Sequence, residues 1–97
     1  METTVKQIFV LSKYTVCGST NIAASEDRQK LHLRMKNEIR SYLTGKFGDR
    51  DSEENIGNEY AQEMFQSFDR ISPEQNSWAD GDFEFPVVFS IETVDII

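Results

Sequence analysis

The sequence predicts an α+β two-layer sandwich, and three observations lead there. The chain closes on a period-two stretch, Asp82 to Ile97, with Phe83, Phe85, Val87, Phe89 and Ile91 on odd positions and Glu84, Pro86, Ser90 and Glu92 on even ones. That alternation suits a strand that buries one face. A second strand candidate, Val5 to Val16, opens the chain, and two stretches with helical spacing lie between them. The simplest assembly packs two antiparallel helices on one face of a small sheet formed by the N- and C-terminal strands, in the order β(β)ααβ. A chain of 97 residues holds one core, so a single domain spanning 1–97 is expected.

In the first strand Ile8, Phe9, Val10 and Leu11 are apolar on consecutive positions, so both faces require cover, as in an interior strand. Cys17-Gly18-Ser19-Thr20-Asn21 has turn composition and can lead into a short second strand through Ile22, Ala23 and Ala24. Ser25, followed by Glu26 and Asp27, reads as a helix start: a capping hydroxyl, then anions at the positive end of the dipole. Leu31, Met35, Ile39, Tyr42 and Leu43 form one stripe, Leu33 falls on the outer face, and Gly45 and Gly48 supply the stop. Gly48 to Ser52 is a polar linker.

Asp51 or Ser52 before Glu53 and Glu54 announces a second helix, whose true start Gly57 and Asn58 can delay. Its stripe is Ile56, Tyr60, Ala61, Met64, Phe68 and Ile71, with Asn55, Glu59, Gln62, Glu63, Gln66 and Asp69 opposite. Ser72-Pro73-Glu74-Gln75 has the order of a capping box, so a single helical turn carrying Trp78 is expected after it, and Asp80-Gly81 then turns into the last strand. That strand would run ~50 Å if straight, too long for so small a domain. Pro86 marks a break, and the apolar positions change parity near Thr93 as a bulge or the end of pairing would make them.

Composition narrows the function classes. No run approaches the ~18 apolar residues of a membrane span, and Met1 to Thr4 lacks a secretory start, so a cytoplasmic protein without membrane contact is expected. One Cys (Cys17) and one His (His32) supply neither a disulfide nor a conventional zinc site, and no nucleophile and base are paired. Asp49, Asp51 and Glu53 open like a calcium loop, but Glu54 stands where its glycine belongs and Tyr60 where its closing glutamate belongs. No cofactor is called for.

Charge is segregated: residues 1–48 carry eight basic side chains against four acidic, and residues 49–97 carry two against thirteen, for a chain total of -7. Neutralisation between packed helices is the default reading. Arg28, Lys30, Arg34, Lys36, Arg40 and Lys46 flank the first helical stripe on both sides instead of forming one basic face, which disfavours nucleic acid as ligand. Glu59, Gln62, Glu63, Gln66 and Asp69 on an outward helix face, joined by Asp80, Asp82 and Glu84, form the candidate partner-binding set for a protein with a basic surface. The function expected is that of a non-enzymatic inhibitor or immunity-type factor of the kind phages and bacteria encode, acting on a nuclease or nucleic-acid-binding enzyme. The alternative is a small metal-dependent or nucleotide-handling enzyme using Asp80, Asp82 and Glu84, which project from one face if the strand has already begun there. Surplus apolar surface on the first strand and the tail Val94 to Ile97 points to a homodimer.

Overall fold

The computed structural model describes residues 6–96, so Met1–Val5 and Ile97, and what the sequence suggests for them, lie outside the described residues. Strand β1 (Lys6–Thr15) turns through Val16 and Cys17 into β2 (Gly18–Ser25); helix α1 (Arg28–Phe47) follows, then the short α2 (Glu53–Ile56), α3 (Glu59–Asp69), β3 (Ser77–Asp80) and β4 (Val87–Ile96). The four strands form one antiparallel sheet in the order β2-β1-β4-β3, which sets the N- and C-terminal strands side by side at its centre, as predicted. Helices and sheet together make the α+β fold.

The core lies between the sheet and α1. Leu11, Phe89, Ile91 and Trp78 from the strands meet Leu31, Met35, Ile39 and Leu43 from α1, with Ala61 and Phe65 of α3 in the same cluster. Two devices fit the sheet to this layer. A bulge between Leu11 and Ser12 leaves Ile22 without a partner on β1, and Ile22 and Ala23 then both pack on the core despite being consecutive. The indole of Trp78 donates to the Ser67 hydroxyl at 2.8 Å, which ties β3 to α3.

Helix α1 starts two residues later than its sequence suggests. Asp27 is the cap, its carboxylate accepting from the amides of Gln29 and Lys30, while the Ser25 hydroxyl accepts from Asp27 N–H. The helix also runs through Gly45 and ends at Gly48, whose φ of 79° only glycine adopts readily. The second helix is divided. Ser52 caps α2 and Asn58 caps α3, with Gly57 at the break. The division turns Ile56 out to solvent at 68% exposure, brings Phe65 into the core, and buries Asn55. The Asn55 amide bonds the Phe47 and Asp49 carbonyls at 2.8 and 2.6 Å, closing the end of α1 that the helix itself leaves unsatisfied.

Three expectations for the C-terminal region are overturned. Ser72–Gln75 is a turn closed by Gln75 N–H on Ser72 C=O, and Trp78 stands in β3 instead of a helical turn. Trp78 is the one large apolar side chain between the box and Asp80, and edge pairing to β4 places its indole in the core. Asp82 to Pro86 is not strand; pairing begins at Val87, after the proline that cannot donate to a ladder. Near Thr93 there is neither a bulge nor an end of pairing, because β1 and β4 keep one register from Lys6↔Ile96 to Tyr14↔Val88. The parity change instead records the end of helix cover. Phe89 and Ile91 sit under α1, and beyond them Thr93 and Asp95 are exposed on that face while Val94 and Ile96 are exposed on the other.

Candidate functional site

The most connected polar cluster lies where the C-terminal half of α1, the first turn of α3 and the end of β3 meet. At its centre is Asp80, whose side chain is 0% exposed. Asp80 Oδ2 accepts from the Tyr42 hydroxyl at 2.5 Å and the Lys46 ammonium at 2.6 Å; Oδ1 accepts from the Tyr60 hydroxyl and from Asp82 N–H. Lys46 also reaches Asp82 Oδ2 at 2.9 Å. Tyr42 and Lys46, four apart on α1, share the face that overlooks β3, and β3 pairs with β4 so that Asp80 follows Trp78 on the helix side.

Burial by itself would raise the Asp80 carboxyl, but hydrogen bonds from Lys46, Tyr42 and Tyr60 outweigh it and hold the group below its ordinary value. The same balance raises Lys46: burial opposes its charge, and its bonds to Asp80, Asp82 and Tyr60 prevail. Burial and then the bond to Asp80 push both tyrosines upward. Asp82 falls to about 2 through Lys46 and the amides of Phe85 and Glu84. Each group is thus displaced away from neutrality, toward a fixed ion or a fixed hydroxyl, and none toward the middle range that suits proton transfer. Chemically the cluster is a clamp joining three elements.

The clamp also shapes the loop after it. Asp82 Oδ1 accepts from Glu84 N–H at 2.9 Å and Phe85 N–H at 3.1 Å, folding residues 82–85 into a turn. That turn holds Phe83 at 100% exposure and Phe85 at 64%. Both rings were expected inside, on the buried face of a strand. They are outside because the strand begins only after Pro86.

The candidate binding residues separate into three groups. Asp80 is not on the surface, and Asp69 and Asp82 are occupied, by Arg50 and Lys46 respectively. Gln62 donates to the Asn55 carbonyl. Glu59, Glu63, Gln66 and Glu84 face solvent. Asp80, Asp82 and Glu84 do not gather as a metal site, and among the described residues no group of three or more His, Cys, Asp or Glu side chains does. The basic side chains of α1 are engaged largely within the chain: Arg28 with Asn76 and the Pro73 and Gln75 carbonyls, Arg34 with Glu38, Lys36 and Arg40 over the Phe68 ring, Lys46 in the clamp. His32 is buried and donates from Nε2 to the Ser72 carbonyl, since a carbonyl can only accept. Cys17 is exposed in the β1–β2 turn. No helix among the described residues is long and apolar enough to cross a membrane.

Sequence reasoning missed Tyr42, Lys46 and Tyr60 as members of one cluster. Their partner Asp80 lies 20 to 38 residues away, and no local pattern connects them.

Comparison with protein-family models, characterised proteins and solved structures finds no match.

Proposed function

We propose that this protein is a non-enzymatic interaction module whose acidic surface engages a basic surface on a partner protein, as an inhibitor or immunity-type factor of a nuclease or another nucleic-acid-binding enzyme would. The observation that carries this reading is the division of charge in the fold. Most cations of α1 are engaged in contacts inside the chain, whereas Glu59, Glu63 and Glu84 face solvent and make no ion pair among the described residues. Glu59, Glu63 and Gln66 follow one another along α3 at helical spacing. The bond from Tyr60 to Asp80 ties the first turn of α3 to the end of β3, four residues before Glu84. An outward row of carboxylates steers a basic partner and offers its cations the charges they would otherwise find on phosphate.

The test compares the wild-type chain with the triple variant Glu59→Gln, Glu63→Gln, Glu84→Gln in capturing protein from extract of its native host. The expected result is a partner retained at low salt, released at about 0.5 M salt, and absent from the triple variant. Retention that ignores salt, or that survives the triple substitution, overturns the proposal.

A further inference from the structure

Strand β4 is longer than the partner on its outer edge. It runs Val87–Ile96, but β3 covers that edge only from Val87 to Ser90. One more bond follows, from Ile91 N–H to the Asn76 carbonyl at 2.7 Å. Arg28 ties the Asn76 side chain and the Pro73 and Gln75 carbonyls to the start of α1, so the chain preceding β3 leaves the sheet at that point. Beyond Ile91 no strand among the described residues pairs with the outer edge of β4.

The Ile91 bond fixes which groups are left. In an antiparallel ladder the N–H and C=O of one residue point to the same side, and successive residues point to opposite sides. Ile91 points outward, so Thr93 and Asp95 do too, while Glu92, Val94 and Ile96 point to β1. An open row of this kind is a template for another strand. Thr93–Ile96 contains no lysine or proline to deter one, and its pairing with β1 is free of bulges. The opposite edge of the sheet, β2, is by contrast interrupted by the bulge at Ile22.

We infer that the occupant of this edge is the same edge of a second copy, paired antiparallel with Val94 on a two-fold axis. Thr93 of each copy then stands opposite Asp95 of the other, and because both residues turn their backbone groups outward, each pair exchanges both of its hydrogen bonds. Charge selects this register. Asp95 faces a threonine hydroxyl that can donate to it, and Glu92 faces Ile96; an axis at Asp95 would set two carboxylates directly opposite, which destabilises a sheet. An axis at Thr93 would place Asp95 against Ile91, whose N–H is already bonded to Asn76. On the open face the Ile8–Val94 pair meets its own copy, making an unbroken apolar row from β1 of one chain to β1 of the other. Val94 is 41% exposed in the single chain and is covered by this pairing. Surplus apolar side chains made the tail a candidate contact in the sequence; in the fold the demand comes from its backbone. Glu59, Glu63 and Glu84 take no part, so the contact is independent of the partner proposed above.

Sedimentation velocity over a concentration series up to about 1 mM tests the pairing. The wild-type chain is expected to dimerise. Thr93→Pro removes an N–H that β1 does not use, so it should weaken the dimer about tenfold or more while the bonds between β1 and β4 stay in place. Residue 94 faces itself across the axis, which gives a sharper measurement. Val94→Lys and Val94→Glu should each disperse the dimer by setting like charges opposite, and an equimolar mixture of the two should associate more tightly than either alone. Both replace an exposed side chain, so their thermal unfolding at concentrations where the wild type is monomeric should stay close to that of the wild type. The Val94 variants decide the matter even where the proline disturbs the fold. A wild-type chain monomeric at every concentration overturns the inference. So does a folded Thr93→Pro chain that dimerises as the wild type does, and so does a mixture of the Lys and Glu variants no tighter than its components.

Discussion

Replacing Lys46 with Met removes the cation that pairs with a fully buried carboxylate and leaves the aliphatic stem nearly intact. In the wild type the ammonium sits 2.6 Å from Asp80 Oδ2, with the carboxylate 0% and the lysine 25% exposed. Breaking a buried pair from one side costs roughly 3–5 kcal/mol, because the remaining charge is left desolvated. Here the lysine is partly in water, and the Tyr42 and Tyr60 hydroxyls and Asp82 N–H stay on the carboxylate, which places the cost at the lower end, about 3 kcal/mol. For a chain of 97 residues the unfolding entropy is about 0.2 kcal/mol/K, so Tm should fall by about 15 °C at pH 7. Acid should close the gap. In the wild type Asp80 is held below its ordinary value, so its contribution is complete at neutral pH and is lost as pH falls through the folded-state pKa. Without Lys46, burial is opposed only by hydroxyls and one amide, and the carboxyl is pushed upward. The folded variant then takes up a proton more readily than the unfolded chain and gains relative stability as pH falls toward about 4. Thermal unfolding followed by far-ultraviolet circular dichroism from pH 7 to pH 4 measures both effects. Adding Asp80→Asn to the variant should recover part of the loss, giving a double-mutant cycle with clear coupling. A drop under about 5 °C at pH 7, or a gap that does not narrow on acidification, would refute the clamp as described.

Asn55→Ala should cost about 1–3 kcal/mol, read as a lower urea midpoint with unchanged slope, because the buried amide leaves the Phe47 and Asp49 carbonyls without their donor. Gly45 and Gly48 should respond in opposite directions to alanine. A Cβ at Gly45 meets nothing within 4 Å inside α1, and Gly45→Ala should stabilise by about 0.5–1 kcal/mol. Gly48 has a φ of 79°, so Gly48→Ala should destabilise by about 1 kcal/mol. Chemical denaturation of the pair checks the sign.

The legible part of the fold is the part written in local periodicity. Leu31, Met35, Ile39 and Leu43 repeat at helical spacing and are buried; Phe89 and Ile91 alternate as a strand and are buried; Leu33 breaks the helical pattern and is exposed. The hairpin is signalled by turn residues after β1, and side-by-side terminal strands are the simplest way to assemble one small sheet. Phe65 was legible too, since it lies four residues after the buried Ala61, but the stripe as drawn passed through Ile56 and missed it.

What the sequence determined by itself is therefore the class of fold, its single core and the segregation of its charges. Tertiary structure decided which of those charges remain available. Asp80 and Asp82 look alike to a reader of the sequence, two acids spaced across a glycine, yet one is sealed beneath Tyr42 and Tyr60 while the other braces an exposed loop. It likewise decided that Phe83 lies outside while Phe89 lies inside, although both fit the same alternation. The physical reason is common to both. Periodicity says which side chains share a face, but whether that face is covered, and whether a carboxylate meets a lysine, depends on contacts between residues tens of positions apart, where local sequence carries no information.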